Sequence, residues 1–389
     1  MIKIHLKAGK ERSVSMGNPW IFSGAILKIE GNVKPGDICS VYSSKGDFLA
    51  SGYYNPHSSI SVRVLSFKDR AFTVAELDNR IRTAISYRNP LLDGSNDCCR
   101  LINSEGDFLP GLIVDKYGSG FVIQILTAGM ERYRNEIIEI LISYKPQFVF
   151  ERSDTDSRTR EGLQTSQGLL YGEMPEKVQL SELGLRFEVD IKSGQKTGFF
   201  FDQRPNRYLL RSYACKRRIC DCFSYSGAFT VNALAAGASQ IDAVDISRNA
   251  TLWGQNNIRI NGFEQNRVRF ITADVFKFLR ETEEQYDLII LDPPKFARHP
   301  GEVQRASRGY KDINLLAIKK IMAGGIIFTF SCSNAIDPNL FRQIIFAAAA
   351  DARRPVQLLH VLGAGPDHPV NIAHREGEYL KGLVLRVLE

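Results

Sequence analysis

Residues with the means to do chemistry are concentrated in two short runs, LDPPKF at 291–296 and FTFSCS at 328–333. Each reads as a buried strand with a polar end. The first ends at Asp292, followed by Pro293, Pro294, Lys295 and Phe296; the second ends at Cys332, between Ser331 and Ser333. In open α/β folds, ligands bind at the carboxyl ends of the strands. Two fixed φ angles stiffen the backbone behind the acid. Asp292 can then meet the edge of a flat base, and Phe296 offers a ring to stack on it. A cysteine thiolate can attack such a base. Cytosine C5 is too weak a nucleophile to take a methyl group unaided. A thiolate adding at C6 moves electron density to C5; loss of the C5 proton after methylation then releases the thiol. This combination points to methylation of a nucleobase at a ring carbon. Two alternatives stand beside it. A lone cysteine is usually a packing thiol, and Asp-Pro-Pro-aromatic edges also suit methylation of a guanine or adenine nitrogen.

These residues need a sheet to position them, and the pattern after residue 218 supplies one. Strands are expected at 219–223, 241–245, 268–272, 288–291 and 325–330, with helices at 229–236 and 248–261. Strands alternating with helices predict a doubly wound parallel sheet. Residues 356–362 and 380–387 predict an antiparallel pair at its edge. The first strand runs into DCFSYSGAF, residues 221–229, a turn rich in small residues that lets a ligand approach a helix amino terminus. Asp221, Phe223, Tyr225, Ser226 and Gly227 are its candidate cofactor residues. The turn lacks G-x-G-x-x-G, which disfavours a dinucleotide and with it an NAD-dependent dehydrogenase. S-adenosylmethionine has no phosphate and needs fewer glycines. Asp245, with Ser247 after it, closes the second strand and can accept ribose hydroxyls. Its structural alternative is a helix N-cap. Asp274, with Val275, closes the third strand within reach of an adenine amino group. Just before the sheet, GQKTGFFFDQRPN at 194–206 mixes aromatics with Lys196, Asp202, Gln203 and Arg204. Phe199 and its neighbours read as a lid on the cofactor.

The remainder divides in two. Residues 1–72 alternate apolar runs with glycine turns, predicting a small all-β barrel or sandwich. A helix at 74–87 carries Leu77, Ile81, Ala84 and Ile85 at helical spacing. Residues 100–180 read as α+β, with strands near 101–102, 111–114, 121–126 and 147–151, and a helix at 133–143. A hairpin-like pair is expected at 183–191. The predicted domains are 1–72, 73–182 and 183–389.

The net charge is +7, and the first seventy residues hold ten Lys/Arg against five Asp/Glu. That balance fits a polyanionic partner. Lys3, Lys7, Lys10 and Arg12 are candidate RNA contacts, with a solvated charged face as the alternative. Seven cysteines show no framework spacing, and six scattered histidines, His299 nearest the site, show no metal cluster. With no signal peptide and no membrane-length apolar stretch, a reducing cytoplasm is the expected compartment.

On these motifs the chain resembles the RlmI-like family of 23S ribosomal RNA cytosine-5 methyltransferases. The resemblance runs end to end, through LKAGKER at 6–12, PWIFSG at 19–24, GYYNP at 52–56, GDFLPGL at 106–112, the run 196–204, DPPKF at 292–296, SCS at 331–333 and YLKG at 379–382. It implies an N-terminal PUA domain, a central α+β domain and a C-terminal Rossmann-like class I methyltransferase domain. It further implies S-adenosylmethionine as donor, Cys332 as nucleophile, 23S rRNA as partner and a homodimer. Gly227-Ala228 stands where the family usually has two glycines. A non-catalytic RNA-binding assembly factor is the alternative from another class; the three cofactor acids and Cys332 argue against it.

Overall fold

The computed structural model describes residues 2–70, 72–194, 197–297 and 299–389. Lys196, part of the expected lid, lies outside them. The chain forms two compact units. The first comprises residues 1–178, 190–199 and 366–377, and the second comprises 179–189, 200–365 and 378–389.

In the first unit, the strands Ile2–Leu6, Trp20–Phe22, Ile26–Glu30, Ile38–Tyr42, Phe48–Tyr54 and Ile60–Ser66 make a six-stranded sheet. Its pairings are antiparallel except that Ile2–Leu6 lies parallel to Ile38–Tyr42. Period-two burial of Ile4 and Leu6, and of Cys39 and Val41, gives this sheet its own core. Strands Cys99–Asn103, Leu112–Tyr117, Gly120–Ile125, Phe148–Ser153 and Ser166–Gly172 make a second sheet. Helix Val74–Arg88 packs Leu77, Ile81, Ala84 and Ile85 into a core that also takes Tyr53 and Leu65 from the first sheet.

Three expectations for this part of the chain are corrected. The helix placed at 133–143 is Arg134–Ile142, with a separate turn Ala128–Arg132 before it. Tyr133 leaves helical geometry at the junction, and its ring packs against Phe72 at 5.9 Å. Strand Ser166–Gly172 was not foreseen. It is a half-exposed edge strand with two glycines, which reads as loop. The hairpin expected at 183–191 is formed by Val178–Glu182 and Leu185–Val189. Leu183 and Gly184, at φ 54° and 75°, form its turn.

The second unit is built as the strand–helix alternation predicts. Its elements are α1 (Arg204–Ala214), β1 (Arg218–Cys222), α2 (Ala228–Ala235), β2 (Gln240–Asp245), α3 (Arg248–Ile260), β3 (Val268–Thr272), α4 (Val275–Glu281), β4 (Tyr286–Leu291), α5 (Val303–Lys320), β5 (Ile321–Ser331), α6 (Pro338–Ala352), β6 (Val356–Leu362) and β7 (Lys381–Val387). The sheet order is β3-β2-β1-β4-β5-β7-β6. The first five strands are parallel, and β7 runs antiparallel to both β5 and β6. Helices cover both faces. Ile327 of β5 joins the core beneath α4, α5 and α6, whereas the alternate residues Phe328 and Phe330 touch Tyr213 of α1 and Phe229 of α2. Strand order reverses between β1 and β4. The crevice of such a fold lies at that switch point, beyond the strand carboxyl ends. The turn after β1 and the Asp-Pro-Pro run after β4 both start there.

Candidate active site

The turn after β1 adopts a conformation that its composition alone does not show. Phe223 and Tyr225 have φ of 61° and 46°, and Gly227 has 75°. Left-handed backbone is unfavourable for bulky residues and persists where surrounding contacts over-determine it. Asp245 is one such contact: its Oδ2 accepts the Tyr225 N–H at 2.9 Å and its Oδ1 accepts the Ser247 N–H at 2.8 Å. The Tyr225 ring is flanked by Phe200 at 5.5 Å and Trp253 at 5.7 Å. Gly227 is required, since a Cβ there would lie 3.2 Å from the Gly254 Cα and the φ is left-handed. Ala228 opens α2 without a positive φ, so alanine is accommodated at the family's second glycine position.

The N-cap alternative is settled by geometry. Ser247 caps α3, its Oγ accepting the Ala250 N–H at 3.3 Å, and Asp245 does not. Asp274 is the acid that caps a helix, accepting the Lys277 N–H at 2.8 Å from an exposed position at the start of α4. Val275 beside it is buried. Asp221 points elsewhere: it is 1% exposed and accepts the Thr230 hydroxyl at 2.6 Å. Burial pushes its carboxyl up to about 7. The carboxylate, expected to meet the cofactor, is thus held against α2 by Thr230.

The expected lid is split between the two units. Phe199 belongs to the first, where it is buried and donates its N–H to the Tyr117 hydroxyl. Asp202, Gln203 and Arg204 belong to the second and are all buried. Asp202 accepts the Tyr379 hydroxyl at 2.5 Å. Gln203 Oε1 accepts from Asn206 at 2.6 Å. Arg204 and Arg207 both donate to the buried Glu182. Arg204 therefore anchors α1 to the hairpin, a structural part that the sequence reading did not give it.

At the reacting end, β4 and β5 run side by side, with Leu291 opposite Thr329. Asp292 is half-buried, Pro293 buried, and Pro294 and Lys295 exposed. Phe296, expected to stack on a base, is half-buried, with its ring 4.6 Å from Tyr310 and 6.0 Å from Phe276. Those contacts fix the loop to α5 and α4. Ser331 and Ser333 are buried. Ser333 Oγ accepts the Ala297 N–H at 3.2 Å and lies 2.9 Å from the Tyr310 hydroxyl, tying the loops after β4 and β5 together. Cys332 between them is half-exposed, its Sγ donating to the Pro293 carbonyl at 3.8 Å.

The remaining thiols set Cys332 apart. Cys39, Cys98, Cys99, Cys220 and Cys222 are buried. Burial pushes Cys39 up to about 12 and Cys220 well above the thiol range, as expected where a thiolate would be unsolvated. Cys215 is exposed, but it follows the end of α1. Among the described residues no His, Cys, Asp and Glu cluster could hold a metal ion.

Two residues of this end were missed from sequence. Tyr379 meets Asp202, and Lys381 donates to the carbonyls of Ser333 and Tyr379, both at 2.7 Å. The signal was present: Lys381 is the lone charge at the head of the apolar run LKGLVL.

S-adenosylmethionine fits the β1–β2 end on the polar groups left over there. The Ser224 and Ser226 hydroxyls are buried and have no hydrogen-bond partner. Orphaned hydroxyls of this kind call for an explanation such as a ligand. The candidate RNA residues are all exposed: Lys3 on the first strand, Lys7 and Lys10 in the turn that follows it, and Arg12 at the start of the short helix Arg12–Ser15. Lys3 lies over the Tyr42 ring at 5.7 Å, and Lys7 donates to the Gly24 carbonyl.

Comparison with known proteins agrees with this arrangement. The sequence profile of the S-adenosylmethionine-dependent methyltransferases matches residues 157–375, and that of PUA-like domains matches residues 4–67. A ribosomal RNA large subunit methyltransferase I from Alteromonas mediterranea is 39% identical over 100% of this chain and 99% of its own length. The protein of that name from Aeromonas salmonicida is 42% identical over 98% of both. A solved chain from Streptococcus mutans, described as a candidate SAM-dependent methyltransferase, has the same fold, with a TM-score of 0.87 at 23% identity over 100% of both chains. A second solved chain with the same TM-score, identity and coverage is described as complexed with SAH. Profile, full-length relatives and fold agree: the chain is a SAM-dependent methyltransferase and belongs to the ribosomal RNA large subunit methyltransferase I family.

Proposed function

We propose that this chain methylates C5 of a cytosine in large-subunit ribosomal RNA, with Cys332 as the nucleophile. The observation that carries this reading is the half-exposed Cys332 at the β5 end, tied through Ser333 to the Asp292 loop, while Cys39, Cys98, Cys99, Cys220 and Cys222 are buried. Ribosomal RNA as substrate is the activity its relatives are named for. The first unit, with the PUA-like match and exposed basic residues, is read as the RNA-holding part. We read the chain as three modules, 1–72, 73–182 and 183–389, of which the first two share a core.

In this reading Asp292 and the Pro293–Pro294 backbone orient the base, Lys295 faces the exposed side, and Phe296 holds the loop from beneath. Asp245 and Ser247 hold the ribose of the cofactor, Phe223, Tyr225, Ser226 and Gly227 form its cradle, and Asp274 and Val275 lie at its adenine end. Asp202 and Gln203, buried in the same unit, support the cofactor site. When bound, S-adenosylmethionine supplies an electrophilic methyl group. The Cys332 sulfur adds to C6, and the C5–C6 π pair moves to C5, which takes the methyl group. A base then takes the C5 proton, the C5–H pair restores the double bond, and the C6–S pair leaves with the thiolate.

Incubating large-subunit rRNA that lacks modifications with the protein and S-adenosylmethionine should create 5-methylcytosine at one position, read by bisulfite sequencing. Methylation of a guanine or adenine nitrogen instead would remove the C5 assignment. Replacing Lys3, Lys7 and Lys10 together with glutamate should weaken RNA binding at low salt and reduce the slope of log K against log salt by roughly one per lost phosphate contact. Truncation at residue 72 is a poor substitute, because it strips Tyr53 and Leu65 from the shared core. An unchanged salt slope in the triple variant would remove these lysines from the RNA-binding face.

A further inference from the structure

We infer that Lys381 is a positioning residue for the reaction: its ammonium, held by the Ser333 and Tyr379 carbonyls, places a fixed positive charge beside the Cys332 sulfur. The inference rests on Cys332 being the nucleophile. Lys381 stands at the head of β7, next to β5, with Ser331 opposite it. It is 5% exposed. Both hydrogen bonds are 2.7 Å, and one goes to the carbonyl of the residue that follows Cys332. The other charged residue of β7, Arg386, is exposed, whereas a lysine is rarely buried unless paired. Lys381 makes no ion pair with a carboxylate among the described residues. Two carbonyls are dipoles, not counter-charges, so the cation is left to seek an anion. Burial depresses its ammonium to about 8, and the largest opposing influence comes from Cys332. The charged and titratable groups around the pair come from four further elements. Lys295 from the loop after β4 acts against the ammonium, while Glu378 before β7 and Asp337 at the cap of α6 favour it at longer range. Tyr310 on α5, itself raised by burial, also faces Cys332.

A cation there stabilises the thiolate over the thiol. It also locks the Cys332–Ser333 backbone in place, since the same ammonium clamps both the Ser333 and Tyr379 carbonyls. Tyr379 in turn donates to Asp202, so the clamp connects the reacting end to the α1 support.

Thiolate character can be read without any methyl transfer. The rate of iodoacetamide alkylation at Cys332, followed on its own peptide by mass spectrometry, is measured against pH in the full-length protein. The wild-type profile should have its midpoint below the ordinary thiol value of about 8.5. Lys381→Gln should move that midpoint up by about one unit, lowering the rate at pH 7 by about tenfold, and Lys381→Arg should retain most of the wild-type rate. The pH dependence of kcat should move in the same direction. A Lys381→Gln profile that superimposes on wild type, with unchanged circular dichroism, overturns the inference. If that variant fails to fold, a wild-type midpoint at or above 8.5 overturns it equally. Failure of the nucleophile reading itself looks different: Cys332→Ser would keep methylating while the alkylation profiles stayed as described.

Discussion

Cys332→Ser is expected to fold and bind S-adenosylmethionine normally, yet to lose methyl transfer by at least about three orders of magnitude, roughly 4 kcal/mol of transition-state stabilisation. The side chains are close in size, and the neighbours are already satisfied. Ser331 and Ser333 are buried, and the hydrogen bond from Cys332 to the Pro293 carbonyl is a long one, so packing changes little. What changes is the nucleophile, because a serine hydroxyl is almost never ionised and cannot add at C6 unaided. RNA carrying 5-fluorocytosine at the target should trap the wild-type protein in a denaturation-resistant adduct, since fluorine at C5 cannot leave as a proton. The serine variant should form none. Asp292→Ala should form less adduct through poor orientation of the base. Near-normal methylation by Cys332→Ser would make it a packing thiol and transfer the chemistry to Asp292 and a base nitrogen.

The strand–helix alternation after residue 218 was legible because each parallel strand is a short apolar run closed by an acid or a turn. Asp245 and Asp292 stand out for the same reason. Side-chain pointing was not legible. Asp221 has the same strand-end pattern as Asp245, yet it accepts from Thr230 beneath α2 while Asp245 accepts from the turn itself. Both are single acids at strand ends, and only the fold separates a sealed carboxylate from one that organises a loop. Arg204 and Phe296 carry the same lesson. One is held by Glu182, twenty-two residues earlier, and the other by Tyr310 and Phe276 on separate helices. Partners that distant leave no local pattern. Nor does a split lid: Phe199 and Phe200 are neighbours in sequence and fall in different units.

Asp245→Ala should weaken S-adenosylmethionine binding by about 1–3 kcal/mol, or roughly 5- to 150-fold, measured by calorimetry. Two losses contribute. The carboxylate is the acceptor proposed for the ribose hydroxyls, and it also holds the Tyr225 and Ser247 N–H groups. Without it, Tyr225 loses one of the contacts that keep its φ at 46°, and the cradle relaxes toward ordinary backbone. The second loss distinguishes Asp245 from Asp274. Asp274 holds a single N–H, at an exposed helix cap, so Asp274→Ala should cost about 0.5–2 kcal/mol of helix stability while affecting cofactor affinity less. Asp245→Asn should fall between wild type and alanine, because an amide keeps one acceptor oxygen but presents N–H groups to donors. Unchanged affinity in Asp245→Ala would remove it from the cofactor site and leave it as a strut for the turn. An equal loss in Asp274→Ala would place the larger part of the recognition at the adenine end.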